Sequence, residues 1–529
     1  MPANPADPAP TSERRLRVNR KRILRVIGFP IALALIGWGA LHRGWTGNEA
    51  GHRAVVAPDA KALTLGSVHF AACELAQKHS GATTRAFCAR FAVPENRADP
   101  ARRTLELRVA LIRSDAPAAD RDIVVFLAGG PGQSAIDTWP QVAAAFAPLR
   151  KDHDILLVDQ RGTGGSNALD CPAPGGDDGR GGAPDAAEAG RHTSDCLAAV
   201  AKHADPREYT TTAAVEDLEA VRAALGSPKL DLVGVSYGTR LAQQYMMRHP
   251  QGVRSAVLDS VVPNTLVLGE DFAGNLDAAL KADFALCLKQ PPCTKAFGDP
   301  WTSLIRLRDR LRATPQTWDY RDPVTFLPKQ LRLDEAGFVR LVRFFAYTPE
   351  SSALLPLSIA EGLRGNFTPL AGQEQLITDD LGDLSSNALQ LSIACSEDAD
   401  LLTARPQDAG TLLGTRLADL LRAACAVWPH GTRPADFHSP LATATPVLIL
   451  EGELDPVTPP RYGEEVVKGL SNGRLLIARG QGHNVIGRGC IPRLVREFVD
   501  KLDPRTLDAG CVDALGPTPA FVDFNGASP

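Results

Sequence analysis

The sequence of 529 residues lacks three patterns that would assign it to large protein classes. No segment recurs at a fixed period, which excludes a repeat architecture. Its ten cysteines include no C-x-x-C pair, so zinc ribbons and thioredoxin-like motifs are absent. Neither a G-x-x-x-x-G-K-[ST] loop nor a G-x-G-x-x-G turn after a strand is present, and this excludes the common nucleotide-binding motifs.

Positive charge is scarce outside the N-terminus. The formal net charge is −4, but residues 1–25 hold seven Arg or Lys and two acidic residues, so the rest of the chain carries −9. Phosphate binding needs clustered positive charge, and the balance therefore argues against a nucleic-acid surface. With 44% hydrophobic residues the chain can fold as a globular protein, either as one large domain with an insertion or as two to three domains.

An uncharged run of sixteen residues, 26–41, follows the basic tail. A basic tail before an apolar run is a targeting pattern. The run is long for a signal peptide and shorter than the roughly 20 residues that span a bilayer, so both interpretations stay open. The absence of an A-x-A site favours an uncleaved anchor. The positive-inside rule then predicts a periplasmic or extracellular protein, anchored in the inner membrane by residues 26–45.

The ten cysteines are spread through the chain, and export to an oxidising compartment would allow them to pair. Free buried thiols are the alternative. Our prediction is that each cysteine pairs with its neighbour along the chain. The predicted pairs are Cys73 with Cys88, Cys171 with Cys196, Cys287 with Cys293, Cys395 with Cys425, and Cys490 with Cys511.

Short apolar runs that end in Gly, Asp or Ser are typical of strands buried on both faces of a parallel sheet. Helical stretches lie between them, and Thr212 is the predicted N-cap of one of these. The alternation predicts an α/β fold with a mostly parallel, doubly wound sheet. The runs are 123–127, 155–158, 230–233, 256–258, 447–450 and 475–477, and residues 104–112 alternate as a half-buried strand does.

Two segments interrupt the alternation. Residues 172–190 are poor in large apolar side chains and predict a flexible loop. From about 262 to 439 helical patterns replace the buried strands, which predicts a helical cap inserted before the last strands. The predicted organisation is a basic tail (1–25), a signal segment (26–45), an N-terminal extension with the first strands (46–120), a first core part (121–262), the cap (263–440) and a second core part (441–529).

The pentapeptide G-V-S-Y-G lies between the strand 230–233 and a helical stretch. Small residues at both ends permit the strained turn that lifts a serine hydroxyl out of the sheet, so Ser236 is the predicted nucleophile. The turn A-G-G-P-G follows the strand 123–127. Gly129 or Gly130 is predicted to supply one backbone N–H of an oxyanion hole, and Tyr237 the other.

A serine nucleophile needs an imidazole base, and the base needs an acid that holds its tautomer. His483 follows the strand 475–477 and is the predicted base. Asp455 follows the strand 447–450 and is the predicted acid, with Asp259 as the rival. The chain order serine, aspartate, histidine is that of α/β-hydrolases.

These motifs, together with D-Q-R-G-T-G-G-S at residues 159–166, resemble the α/β-hydrolase family of prolyl iminopeptidases and tripeptidyl aminopeptidases. The resemblance implies an α/β-hydrolase fold with an inserted helical cap, a serine peptidase, and bracing roles for Asp159 and Arg161. Ala128 stands where the iminopeptidases usually have His, so the resemblance does not imply a preference for proline.

An aminopeptidase must bind a substrate ammonium group, for which a buried or half-buried carboxylate is the physical means. The alternative for each acid is an exposed or ion-paired surface residue. The predicted substrate-binding residues are Glu397, Asp398 and Glu453, with Asp400 and Glu451 as further candidates.

Two functions follow from this pattern. One is an exported serine aminopeptidase, tripeptidyl or prolyl in type, that releases short N-terminal fragments through an acyl-enzyme on Ser236. The other is a carboxylesterase or other acyl hydrolase with the same triad, because this fold hosts many acyl transfers. A hydrolase-like binding module is a third, non-enzymatic reading. The predicted partners are a peptide or small ester and, through the N-terminal segment, a membrane; no nucleic acid, metal or organic cofactor is implied.

Overall fold

The computed structural model describes residues 60–76, 83–116, 123–171, 186–323, 325–384 and 386–527. The basic tail and the predicted signal segment at 26–45 therefore lie outside the described residues. Within these ranges, no helix combines the length and the apolar character needed to cross a membrane.

Twelve strands occur in the described part of the chain, and ten of them form one sheet. They are β1 (Ala62–Leu65), β2 (Val68–Ala76), β3 (Thr83–Pro94), β4 (Thr104–Ile112), β5 (Ile123–Leu127), β6 (Asp154–Val158), β7 (Leu230–Val235), β8 (Val253–Asp259), β9 (Gln316–Arg321), β10 (Pro328–Leu333), β11 (Val447–Gly452) and β12 (Gly473–Ala478). The order in the large sheet is β1-β2-β3-β4-β6-β5-β7-β8-β11-β12. The six strands from β6 to β12 in this order are parallel, whereas β1 to β4 are antiparallel additions.

Sixteen α-helices connect and cover these strands within the described residues. They are α1 (Ala135–Arg150), α2 (Ala186–Val200), α3 (Thr211–Ala224), α4 (Tyr237–Arg248), α5 (Phe272–Leu288), α6 (Pro291–Phe297), α7 (Pro300–Ala313), α8 (Glu335–Phe345), α9 (Pro349–Ser352), α10 (Leu355–Arg364), α11 (Thr368–Leu384), α12 (Asn387–Glu397), α13 (Arg416–Cys425), α14 (Pro460–Val466), α15 (Ile491–Lys501) and α16 (Gly510–Asp513).

Helices pack on both faces of the sheet, and this explains the uninterrupted apolar runs in its central strands. In β5, Val125 and Leu127 join a hydrophobic cluster with α3 and α4. Val124 and Phe126 point to the opposite face and join a cluster with α1 and α15. The predicted α/β fold with a mostly parallel, doubly wound sheet is thus confirmed.

The chain between β8 and β11, residues 260–446, is called the insertion here. Its helices α5, α7, α8, α10 and α11 share a hydrophobic cluster of their own, in which Phe338 is fully buried. The prediction that helices replace the strands in this part of the chain misses one element, the antiparallel hairpin of β9 and β10. Its first strand, Q-T-W-D-Y-R, is exposed at alternate positions and therefore lacks the apolar run that marks a buried strand. The domain boundaries at 263 and 440 stay predictions.

Two helix starts differ from the sequence prediction. Helix α3 is capped by Thr210, whose side chain accepts a hydrogen bond from the Ala213 amide, so the cap predicted at Thr212 lies two residues too late. Helix α2 begins at Ala186, inside the predicted loop 172–190, because A-A-E-A favours a helix. Residues 172–185 lie outside the described ranges.

All ten cysteines are bonded, in the five neighbour pairs that the sequence predicts. The partners are separated by 6 to 30 residues along the chain. Peptide mapping by mass spectrometry without reduction should recover these five links from protein made in an oxidising compartment. A cross-link between distant cysteines would contradict the pairing.

Candidate active site

Ser236 occupies the sharp turn between β7 and α4. Its backbone has φ 54° and ψ −124°, a conformation that costs a non-glycine residue about 1–3 kcal/mol. The two flanking glycines make this turn sterically feasible. A Cβ atom on Gly234 would lie 2.5 Å from the Gly238 carbonyl oxygen, and one on Gly238 would lie 2.1 Å from the Leu127 oxygen. The turn therefore presents a half-buried serine at the carboxyl end of the central strands.

His483 and Asp455 form a buried hydrogen-bonded pair at the ends of β12 and β11. The imidazole Nδ1 lies 2.7 Å from Asp455 Oδ2, and neither side chain is more than 3% exposed. The other carboxylate oxygen, Oδ1, accepts hydrogen bonds from the Val457 and Thr458 amides at 2.8 Å. An acid held this way orients the ring and leaves Nε2 as the nitrogen that can accept a proton.

Close contacts between backbones hold the histidine loop in place. A Cβ atom on Gly452 would lie 1.8 Å from the Gly482 carbonyl oxygen, and one on Gly482 would lie 2.3 Å from the Tyr347 oxygen. The same Tyr347 oxygen accepts a hydrogen bond from the His483 amide at 2.7 Å, and the Tyr347 ring meets the imidazole edge to face. Tyr347 thus brings the insertion against the predicted base.

Asp259, the rival acid, has a different set of contacts. Its two carboxylate oxygens accept hydrogen bonds from the Val485 and Ile486 amides at 2.9 and 3.0 Å, while its carbonyl oxygen accepts one from the Ser236 amide at 2.9 Å. Burial raises the pKa of Asp259 to about 6, although the two amides oppose this shift. Asp259 therefore joins the serine turn to the histidine loop, whereas Asp455 contacts the ring itself.

The structure places Gly129 and Tyr237, two of the predicted oxyanion residues, next to the serine. A Cβ atom on Gly129 would lie 3.2 Å from Ser236 Cβ, so this backbone passes directly beside the nucleophile. Gly130 has φ 107°, which favours glycine. Tyr237 is the first residue of α4, and its ring is buried. Amide groups at these positions can donate to a negatively charged oxygen that develops on an acyl group bound to the serine.

Asp159 and Arg161, in the segment 159–166, join neighbouring parts of the core through buried hydrogen bonds. Asp159 accepts hydrogen bonds from the Ser134 hydroxyl at 2.6 Å and from the Ile136 amide at 3.0 Å, which fixes the start of α1. Arg161 is fully buried and binds both carboxylate oxygens of Asp217, at 2.6 and 2.7 Å. It also donates to three backbone carbonyls, those of Pro94, Glu95 and Glu208.

Replacing this arginine should destabilise the protein strongly. We expect Arg161→Gln to lower the free energy of unfolding by about 3 kcal/mol, because Asp217 keeps only Arg97 as a charged partner in a buried site. Arg207→Gln is the matched control, since its ion pair with Asp205 is exposed and worth at most about 1 kcal/mol. Urea unfolding measures both. Equal stabilities of the two variants would contradict a bracing role for Arg161.

The predicted ammonium-binding acids are already engaged with the protein itself. Glu397 has no exposed surface, and both of its carboxylate oxygens accept hydrogen bonds from Thr211. Asp398, equally buried, pairs with Arg240 at 3.1 Å. Glu453 is exposed and accepts a hydrogen bond from the Gly480 amide at 2.7 Å. Their assignment to substrate binding stays a prediction.

The further candidates differ from each other in burial. Asp400 is exposed and pairs with Arg433 at 2.8 Å. Glu451 is fully buried, and one of its oxygens accepts a hydrogen bond from the Val261 amide at 3.1 Å. Burial raises the pKa of Glu451 well above its ordinary value, and the neighbouring Asp455 adds to this shift. Burial, followed by the charge of Asp398, likewise raises the pKa of Glu397 to about 8.

Sequence reasoning missed residues that support the pair of Asp455 and His483. Thr458 donates its hydroxyl to Asp455 Oδ2 at 3.0 Å and lies 3.3 Å from His483 Nδ1. Aspartate side chains commonly accept from the backbone amide two residues on, as Asp455 does from Val457, so D-P-V-T carried a local turn signal. Ser260 accepts a hydrogen bond from the Asn484 amide at 2.8 Å, and no sequence pattern indicates this contact across 224 residues.

No group of three or more His, Cys, Asp or Glu side chains that would suit a metal ion occurs among the residues that the structure describes. What the site offers instead is a hydroxyl on a strained turn, an imidazole oriented by a carboxylate, and backbone amides beside the hydroxyl. This set of groups defines a serine hydrolase.

A sequence profile of the α/β-hydrolase fold matches residues 122–488, and the chain belongs to this family. Tripeptidyl aminopeptidase of Streptomyces coelicolor is 26% identical over 496 residues, which cover 82% of this chain and 84% of that protein. Serine protease Hip1 of Mycobacterium tuberculosis is 24% identical over 458 residues, which cover 78% and 85%. A crystal structure of proline iminopeptidase from Mycobacterium smegmatis, 16% identical, covers 79% of this chain and all of its own, with a TM-score of 0.38.

Proposed function

We propose that the protein is an exported serine aminopeptidase that releases short N-terminal fragments from peptides through an acyl-enzyme on Ser236. The observation that carries the proposal is the buried pair of His483 and Asp455, joined through Asp259 to the turn that holds Ser236. The names of the relatives, a tripeptidyl aminopeptidase and a serine protease, support a peptide substrate.

In the proposed mechanism His483 takes the proton of the Ser236 hydroxyl as its oxygen attacks the scissile carbonyl carbon. The charge that develops on the carbonyl oxygen is stabilised by the amides of Tyr237 and of Gly129 or Gly130. Collapse of the tetrahedral intermediate breaks the C–N bond, and the histidine proton goes to the leaving amine. Water then attacks the ester by the same steps and releases the N-terminal fragment.

Two observations support export. All ten cysteines are paired, which is typical of proteins that fold in an oxidising compartment. The basic tail and the apolar run at 26–41 form a targeting pattern. We infer a periplasmic or extracellular enzyme, held at the inner membrane by residues 26–45. Fractionation of cells that express the full chain, with alkaline extraction of the membranes, distinguishes an anchored protein from a released one.

A second candidate function is carboxyl ester hydrolysis with the same residues. The burial of Glu397 and Asp398 favours this alternative, because neither carboxylate is open to a substrate ammonium group. The α/β-hydrolase fold also hosts many acyl transfers.

The test compares three substrates: a tripeptide reporter with a free amine, the same reporter with its amine blocked, and a short-chain ester. An aminopeptidase should hydrolyse the free-amine reporter and leave the blocked one intact. Turnover of the ester alone would move the function to an esterase. Failure of correctly folded protein to hydrolyse any substrate, or to react with a fluorophosphonate probe, would refute a serine hydrolase mechanism.

A further inference from the structure

A chain of hydrogen bonds runs from the insertion to the residue that follows the nucleophile. It begins at Glu397, the last residue of α12, whose Oε1 accepts a hydrogen bond from the Thr211 amide at 2.6 Å. Its Oε2 accepts one from the Thr211 hydroxyl at 2.9 Å. Thr211 is the first residue of α3, so the carboxylate also lies at the positive end of that helix.

The same hydroxyl carries the chain to Tyr237. Thr211 Oγ1 and the Tyr237 hydroxyl are 2.7 Å apart, and Gln160 Nε2 donates to that tyrosine oxygen at 3.3 Å. A threonine hydroxyl has one proton, and donation to Glu397 leaves its oxygen free to accept from Tyr237. The donors therefore run in one direction, from Gln160 through Tyr237 and Thr211 to Glu397.

We propose that Glu397 is a positioning residue, which holds Tyr237 through Thr211 and thereby aims the Tyr237 amide at the substrate oxygen. The proposal rests on the proposed function, in which this amide is one donor of the oxyanion hole. Tyr237 is only 1% exposed, and its anchored hydroxyl restrains the ring and hence the first residue of α4. A side chain of the insertion thus acts on the geometry of the reacting center without contact to substrate.

The surroundings of Glu397 fit positioning better than substrate binding. It has no exposed surface, and His438 Nε2 lies 2.8 Å from its backbone oxygen. The adjacent Asp398 pairs with Arg240, a residue of α4, so two consecutive acids of the insertion hold the helix that follows the nucleophile. Burial, followed by the charge of Asp398, raises the pKa of Glu397 to about 8, while the two hydrogen bonds from Thr211 favour the charged carboxylate and oppose this shift.

The test measures kcat and KM for the free-amine tripeptide reporter, and the rate of fluorophosphonate labelling, in the full chain and its variants. Glu397→Ala should lower kcat and the labelling rate about 10-fold with little change in KM, less than the roughly 10²–10³-fold loss of a whole oxyanion donor. Glu397→Gln keeps an acceptor oxygen and should restore most of kcat. Glu374→Gln is the matched control, a buried glutamate of the insertion that bonds to Arg340, and should leave kcat unchanged.

Tyr237→Phe cuts the same chain without removing a carboxylate, and it tests the proposal if Glu397→Ala does not fold. It should lower kcat to a similar extent, and the double variant should lose no more than the worse single variant, since both remove one link. A raised KM with normal kcat in Glu397→Ala, or full activity in Tyr237→Phe, would overturn the proposal. Fluorophosphonate labelling needs no peptide recognition, so it reports on Glu397 even if the aminopeptidase assignment fails.

Discussion

Ser236→Ala should abolish hydrolysis of every substrate that the protein turns over, with a loss of about 10⁶-fold in kcat. The reason is that the Ser236 hydroxyl is the nucleophile of the proposed mechanism, and it stands on the strained turn beside the backbone of Gly129. Alanine adopts the same backbone conformation at similar cost, so the fold should persist. The measurement is initial rate together with fluorophosphonate labelling, followed by mass spectrometry of the labelled peptide.

Ser227→Ala is the matched control for this experiment. Ser227 is buried and lies just before β7, at the opposite end of the strand from Ser236. The Ser227→Ala variant should keep full activity and should still react with the fluorophosphonate probe. Labelling of Ser236→Ala at another serine, or activity within a few fold of the parent, would refute the assignment of Ser236.

Asp455→Asn should lower kcat by about 10⁴-fold, because an amide in place of the carboxylate favours the wrong tautomer of His483 and leaves its positive charge unstabilised. The affinity for substrate should change little. Asp259→Asn serves as the comparison. It keeps the ring and its acid, but it places an amide group against the donating amides of Val485 and Ile486.

Activity and melting temperature should therefore distinguish the two aspartate variants. Asp455→Asn should lose activity while its melting temperature stays near that of the parent. Asp259→Asn should lose mainly stability, because a buried donor is left facing another donor. The reverse result, with kcat lost in Asp259→Asn and kept in Asp455→Asn, would make Asp259 the acid of the triad.

The parts of the fold that the sequence predicts are those that local pattern determines. The runs 123–127 and 447–450 are apolar because helices cover both faces of the sheet, so strand position and fold class follow from the local sequence pattern. The strand hairpin of β9 and β10 stays hidden, because most of its residues are exposed and neither strand carries an apolar run.

The site residues also divide into those that a local pattern marks and those that only tertiary contacts explain. Ser236, Asp455 and His483 stand out because each follows a short apolar strand, and the glycines around them mark close backbone approaches. The role of Asp259 could not be predicted, since its partners Val485 and Ile486 lie 226 and 227 residues away in sequence. The contact of Glu397 could not be predicted either, because its partner Thr211 lies 186 residues upstream. Contacts of this kind depend on tertiary structure and leave no local pattern.

The disulfides connect only near neighbours in sequence, the widest pair being separated by 30 residues. If the chain crosses a membrane from its N-terminus onward, the first cysteine of each pair reaches the oxidising side shortly before the second. Every correct bond can then form as soon as its short segment has emerged, and non-native pairs have little time to compete. Oxidation of this protein is therefore compatible with translocation in progress.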